Sequence, residues 1–240
     1  MKINIYNSYE EMSQNASEFV VDYINKNKED LLCFAAGNSP EGTYDNMVKA
    51  YNSGKLDISK SKLVSLDEWL GIDVDNEGSC INFVNKKIIE PMDIKKENTC
   101  MFDGCAENPE AECSKIDSFI FENGRIGLMV VGVGMNGHIA LNEPGTSFNL
   151  YSHAIELDEV TRNVAQKYFS KAQELTGGIT LGLKHLMESR TLIVIADGQK
   201  KAEIMKWAIN GEVTEALPAS IIQNHPNCFV FLDKDAGSLL

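Results

Sequence analysis

No stretch of this sequence approaches the roughly 20 consecutive apolar residues that cross a bilayer, and no signal-peptide run follows Met1-Lys2-Ile3-Asn4. The expectation is a cytoplasmic protein without a membrane partner. Positive charge is scarce: 22 Lys and Arg face 35 Asp and Glu, a net charge of -13. Polyanion binding works by releasing counterions to clustered Lys and Arg, so a nucleic-acid partner is not expected. Six cysteines (Cys33, Cys80, Cys100, Cys105, Cys113, Cys228) form no CxxC pair and have no His beside them. No metal site is expected from them, and they read as reduced structural thiols. Repeats, low-complexity tracts and linkers are also missing.

What the sequence does contain is an ordinary globular composition. A hydrophobic fraction of 43% and a charged fraction of 24% supply a substantial core, and the 240 residues suit one domain spanning 1–240. Short runs rich in β-branched residues occur at Ile3–Tyr6, Leu31–Ala36, Leu63–Leu66, Ile126–Val133, Thr191–Ala196 and Cys228–Leu232, each predicting a buried strand. Between the first two, Met12, Ala16, Phe19, Val20, Tyr23 and Ile24 recur at helical spacing. Further helical stretches at Gly42–Ala50, Ala111–Glu122, Asp158–Ser170 and Lys200–Ile209 complete a βα alternation. That order predicts a doubly wound α/β fold, Rossmann-like, with a mainly parallel sheet covered by helices on both faces. Ligands of such sheets collect beyond the carboxyl ends of the strands.

Three segments stand at predicted strand ends. Ala36-Gly37-Asn38-Ser39-Pro40 joins a tight turn, a hydroxyl and a helix start, a combination that suits a phosphate but is also an ordinary capping sequence. Leu66-Asp67-Glu68-Trp69 sets two carboxylates beside a large aromatic; a partly desolvated carboxylate there can serve as a general base, although solvated acids at strand ends are commoner. The richest segment runs from Val131 to Gly145. Its Gly132, Gly134 and Gly137 match GxGxxG, yet Pro144-Gly145 follows too soon for the regular helix that a dinucleotide fingerprint opens. What remains is a glycine-rich turn presenting His138 and Glu143 to a ligand.

Taken in order, AGNSP with Tyr44, LDEW, VGVGMNGHIALNEPGTS, GITLGL at Gly178–Leu183, DGQK at Asp197–Lys200 and LPAS with His225-Pro226 resemble the glucosamine-6-phosphate deaminase family over essentially the whole chain. That family lies in a wider group with 6-phosphogluconolactonases and sugar-phosphate-sensing regulators. The resemblance implies a hydrolase and isomerase of amino-sugar metabolism, acting on galactosamine- or glucosamine-6-phosphate to give a ketohexose 6-phosphate and ammonia. Asp67 would move a proton between C2 and C1, and His138 would assist ring opening with Glu143 behind it. Gly37, Asn38 and Ser39 would bind the phosphate with Lys200. No cofactor is implied, and a homo-oligomer is compatible with the family. The resemblance also leaves a non-catalytic sensor and a lactonase as alternatives.

Departures from the family pattern carry their own expectations. Asn136 stands where some members have Asp, which would leave the histidine relay one carboxylate short. Lys167 replaces a phosphate-binding Arg, keeping charge but losing the bidentate fork. His153 and Ile155 occupy the positions of an effector-binding Arg and Lys, so allosteric activation by an amino sugar is not expected. The variants Gly78-Ser79-Cys80, LDEW and GITLGLK look more like the galactosamine-6-phosphate branch. Tyr151–Ser170, charge-rich and following the glycine turn, is a candidate lid.

Overall fold

A computed structural model describes residues 1–240. Helix α1 (Tyr9–Lys26) follows the edge strand β1 (Lys2–Tyr6), and Ser8 caps it by accepting from the Glu11 N–H at 3.2 Å. Met12, Ala16, Val20 and Ile24 recur every four residues and are fully buried. Strand β2 (Leu31–Phe34) leads into α2 (Asn38–Asn52) and β3 (Lys62–Ser65), and Leu66 then connects to β4 (Asp67–Trp69). The chain continues through α3 (Cys80–Val84), β5 (Thr99–Cys100), α4 (Pro109–Glu122) and β6 (Ile126–Gly132). After the glycine-rich turn come β7 (His153–Glu156), α5 (Glu159–Ala165), β8 (Gly177–Thr180) and α6 (Leu183–Glu188). Strand β9 (Thr191–Ala196), α7 (Ala202–Asn210) and β10 (Cys228–Asp233) complete it.

Seven strands form one sheet in the order β1-β10-β9-β6-β2-β3-β5, every pair parallel. Alternation sorts its side chains into two layers: Leu32 and Phe34 pack with α1 and α2, whereas Leu31 and Cys33 pack with α4, α6 and α7. Both faces are therefore covered, as the order of elements predicts, except at β1: the run Ile3–Tyr6, expected as a buried strand, lies at the sheet edge with Ile3 and Ile5 exposed.

The small antiparallel sheet β4-β8-β7 is not among the predicted strands. Its members are too short, and too rich in carboxylate and glycine, to show a periodic apolar signal. Predicted runs also overshoot: Leu31–Ala36 ends its ladder at Phe34, and Ile126–Val133 ends at Gly132. The predicted helix Asp158–Ser170 stops at Ala165, with a 3-10 turn over Gln166–Tyr168.

Candidate active site

From β2 the chain winds outward through β3 to β5, and from β6 it winds the other way through β9 to β10. The turns after β2 and β6 therefore diverge and leave a crevice at the carboxyl end of the sheet. A cavity of about 670 Å³ lies there. It is lined by Gly37, Asn38, Ser39, Asp67, Asn136, His138, Lys167 and Lys200, which unites every predicted site residue except Glu143. Glu143 is buried directly behind His138.

Asp67 and Glu68 are neighbours on β4, so their side chains leave opposite faces. Asp67 lines the cavity, while Glu68 turns inward and is 1% exposed. The Glu68 carboxylate accepts the Ser79 hydroxyl, the Cys80 and Ile81 N–H groups at 3.0 Å each, and the Trp69 N–H at 2.8 Å. It thus closes the amino end of α3 and holds Cys80 against Asp67. Burial, then the charge of Glu68, push the Asp67 carboxyl up to about 7, with a hydrogen bond from the Cys80 thiol acting in the opposite direction. A carboxylate in that state can take and return a proton near neutral pH. Burial pushes the Cys80 thiol well up, and it stays protonated as a donor.

The glycine-rich turn folds back on itself: Gly134 N–H donates to the His138 carbonyl at 2.9 Å, and Gly137 N–H to the Gly134 carbonyl at 3.1 Å. The imidazole lies so close over Gly134 that a Cβ there would sit 2.2 Å from His138 Nε2. Ala140 adopts a φ of 55°, a left-handed conformation within the same turn. His138 Nδ1 is 3.2 Å from Glu143 Oε2 and 3.1 Å from Thr161 Oγ1. Burial would raise the Glu143 carboxyl, but hydrogen bonds from His138, Thr161 and Asn136 outweigh it and hold the group below the usual range. Glu143 is thus an ionised acceptor, which places a proton on Nδ1 and leaves Nε2 to face the cavity.

Asn136, where the family pattern implies a carboxylate missing from the relay, bonds both Glu143 and His138. Its amide donates to Glu143 Oε2 at 2.7 Å and its Oδ1 accepts the His138 N–H at 3.2 Å. The other three histidines lie outside the cavity: His185 pairs with Asp117 at 2.7 Å, His225 with the Ser189 carbonyl at 3.1 Å, and His153 with the Tyr151 carbonyl at 2.9 Å.

At the opposite end, Gly37 precedes α2 with a φ of 127°, and no side chain caps that helix. Its first N–H groups stay open to the cavity, a site suited to an anion. Ser39 donates to Asp197 Oδ1 at 2.5 Å, tying the turn after β2 to the turn after β9. The lysine turned inward from that second turn is Lys201, not the predicted Lys200. Lys201 donates to the Val133 carbonyl, and burial, then the charge of Lys167, bring it down to about 8. Lys200 lines the cavity rim and is exposed. Helical phase could have found the difference, since Lys201 lies four residues before the buried Met205. Thr161 and Tyr168 are further cavity residues that no motif marked, and Cys80, marked in the sequence only as a structural thiol and a branch variant, lines the cavity as well.

Within the candidate lid, Tyr151–Glu156 is not free to close, because β7 is bonded into the small sheet. Only α5 and the turn after it border the cavity. No three His, Cys, Asp or Glu side chains come together as a metal-binding set, and no helix is long and apolar enough to cross a membrane.

Residues 7–230 match the model of a family described as glucosamine-6-phosphate isomerases/6-phosphogluconolactonase. The glucosamine-6-phosphate deaminase of Clostridium perfringens strain 13 is 36% identical over 241 residues, covering 100% of both chains. That of Thermoanaerobacter pseudethanolicus is also 36% identical over 241 residues, covering 100% of this chain and 95% of the relative. The solved structure of a monomeric glucosamine-6-phosphate deaminase superimposes with a TM-score of 0.96 at 31% identity, covering 100% of both chains. A 6-phosphogluconolactonase from Trypanosoma brucei, at TM-score 0.76 and 18% identity over 100% of this chain and 98% of its own, shares the fold alone. These names correct the expectation of a hydrolase: the full-length relatives are deaminases, and the lactonases are like this chain only in fold.

Proposed function

The chain belongs to the family of glucosamine-6-phosphate isomerases and 6-phosphogluconolactonases, and from that premise we propose that it converts a 2-amino-2-deoxyhexose 6-phosphate into a ketohexose 6-phosphate and ammonia. The observation that carries this reading is the Asp67 carboxylate, buried and pushed up to about 7, in one cavity with His138 and with the open amino end of α2. A lactone hydrolysis needs no such base for a C–H proton.

The C6 phosphate lies on the N–H groups of the Gly37–Ser39 turn, with Lys201 as its main cation and Lys167 beside it. His138 Nε2 carries the C1 hydroxyl proton to the ring oxygen, which opens the sugar. Glu143, held by Asn136, keeps that imidazole in register and stabilises it while it is charged. Asp67 then takes the proton from C2, which the adjacent aldehyde has made acidic, and returns it to C1. As the C2 ammonium becomes an iminium its lost proton goes to the C1 oxygen, so C1 ends as an alcohol carbon; water adds at C2, the nitrogen leaves as ammonium, and the ketone forms. The whole chain acts as one such domain in the cytoplasm, without metal or organic cofactor. A homo-oligomer is not required, because every group named here comes from one chain.

The test is to incubate the protein separately with glucosamine-6-phosphate and galactosamine-6-phosphate and to measure ammonia and ketose phosphate. Turnover of either supports the reading and assigns the epimer. Binding without turnover of either would sink it and favour a sensor.

A further inference from the structure

Tyr168 stands in the cavity wall with a hydroxyl that no group of the chain hydrogen-bonds. It closes the 3-10 turn after α5, and its ring packs against the cluster of Trp69, Leu141, Ala165 and Phe169. The ammonium of Lys167 lies 4.8 Å from the ring centroid, a cation–π contact that helps to hold it. A Cβ added at Gly37 would be 3.7 Å from the Tyr168 hydroxyl, so that oxygen reaches the turn suited to phosphate. Burial first, then the neighbouring Cys80 and Asp67, push the phenol up to about 12. It is a protonated phenol at neutral pH, able to donate and to accept.

The hydroxyl therefore borders the proposed phosphate turn, in the same cavity as the proposed base. We propose that Tyr168 Oη is a specificity-determining contact of the sugar chain, hydrogen-bonding a hydroxyl on the C3–C5 segment while the C6 phosphate lies on the Gly37–Ser39 turn and C2 faces Asp67. The assignment rests on the deaminase reading. A site that hydrogen-bonds a substrate hydroxyl discriminates far more sharply than an apolar pocket, because a misdirected hydroxyl leaves a polar group unpaired. Glucosamine- and galactosamine-6-phosphate differ only in the direction of one hydroxyl in that segment, at C4.

The test is Tyr168→Phe, which removes one oxygen that has no partner within the chain. Its kcat/KM on the epimer preferred by the wild type should fall by about 10- to 100-fold, while that on the other changes less than about threefold. Inorganic phosphate should bind the variant within about twofold of the wild type, since the helix amides and Lys201 are untouched. Wild-type turnover with both epimers slowed equally, or neither slowed, would overturn the assignment of Tyr168 alone. A tenfold loss of inorganic phosphate affinity would assign Tyr168 to the phosphate cradle and overturn it too, on the scale of one lost hydrogen bond (about 1.4 kcal/mol). Turnover of neither epimer by the wild type overturns the deaminase reading and this assignment with it.

Discussion

The Asn136 amide donates to Glu143 Oε2 across 2.7 Å, and its oxygen takes the backbone N–H of His138. An aspartate there would set a second carboxylate against Glu143 and remove a donor. Two such groups share one proton, so the bond survives only while that proton is held. Asn136→Asp is expected to lower kcat/KM about tenfold or more at pH 8, with a smaller deficit relative to wild type at pH 6. A gain in activity would mean that the histidine relay lacks a carboxylate.

Asp67 must be ionised to act as a base, and it is held at about 7. The wild-type kcat/KM should therefore fall about tenfold per pH unit below that value. The linkage runs the same way: a carboxyl raised on folding costs stability as pH rises from its unfolded value toward 7, and the cost is constant above that. With the ordinary value of 3.8 and the folded value of about 7, the cost reaches roughly 4 kcal/mol above neutrality. Asp67→Asn should lose turnover by orders of magnitude, yet melt at a higher temperature at pH 8 and gain little at pH 4. Calorimetry at the two pH values reads this directly, and an unchanged or lowered melting temperature at pH 8 would contradict the burial argument.

Adjacent lysines separate by depth. Lys201→Met is expected to raise the dissociation constant for inorganic phosphate tenfold or more, the loss of a charge-assisted bond worth about 1.5–3 kcal/mol. Lys200→Met, an exposed change at the rim, should leave it within about twofold. Because burial and then Lys167 lower Lys201 to about 8, wild-type affinity should weaken as pH rises past that point. Lys167→Met should move that alkaline limb to higher pH. Titration calorimetry across pH 6.5–9.5 checks both, and equal losses from the two neighbouring substitutions would undo the assignment.

Gly134→Ala introduces a methyl group 2.2 Å from the imidazole. Either the ring or the turn must shift, and a displacement near 1 Å at the proposed acid–base group costs about 100-fold. The expectation is a fall of that order in kcat with phosphate affinity preserved, read by steady-state kinetics beside phosphate titration.

Steady-state curves should be hyperbolic and unaffected by an N-acetylated amino-sugar phosphate. His153 and Ile155 lie on β7, where His153 bonds the Tyr151 carbonyl at 2.9 Å and Ile155 pairs with Gly178. Sigmoidal kinetics relieved by that compound would show an effector site after all.

The amino-acid sequence by itself determined the layered fold and the location of the candidate site. Six β-branched runs separated by helical periods leave little choice but a parallel sheet covered on both faces, since all but the first, which contains Asn4 and lies at the edge, lack a polar side to expose. The turns at Gly37, Asp67 and His138 follow those runs, and ligands of such sheets collect beyond the carboxyl ends of the strands, so the cavity was foreseeable. The tertiary structure alone decided which neighbour faces the cavity. Asp67 faces the cavity and Glu68 the amino end of α3 because adjacent strand residues point to opposite faces, and the choice of face depends on β8, more than a hundred residues away. Lys201 turns inward and Lys200 outward, Asn136 meets Glu143, and Tyr168 reaches over Gly37, because side-chain direction and burial arise only when distant elements pack. Burial, which no local pattern encodes, is also what raises Asp67 to the range where it can exchange a proton at neutral pH.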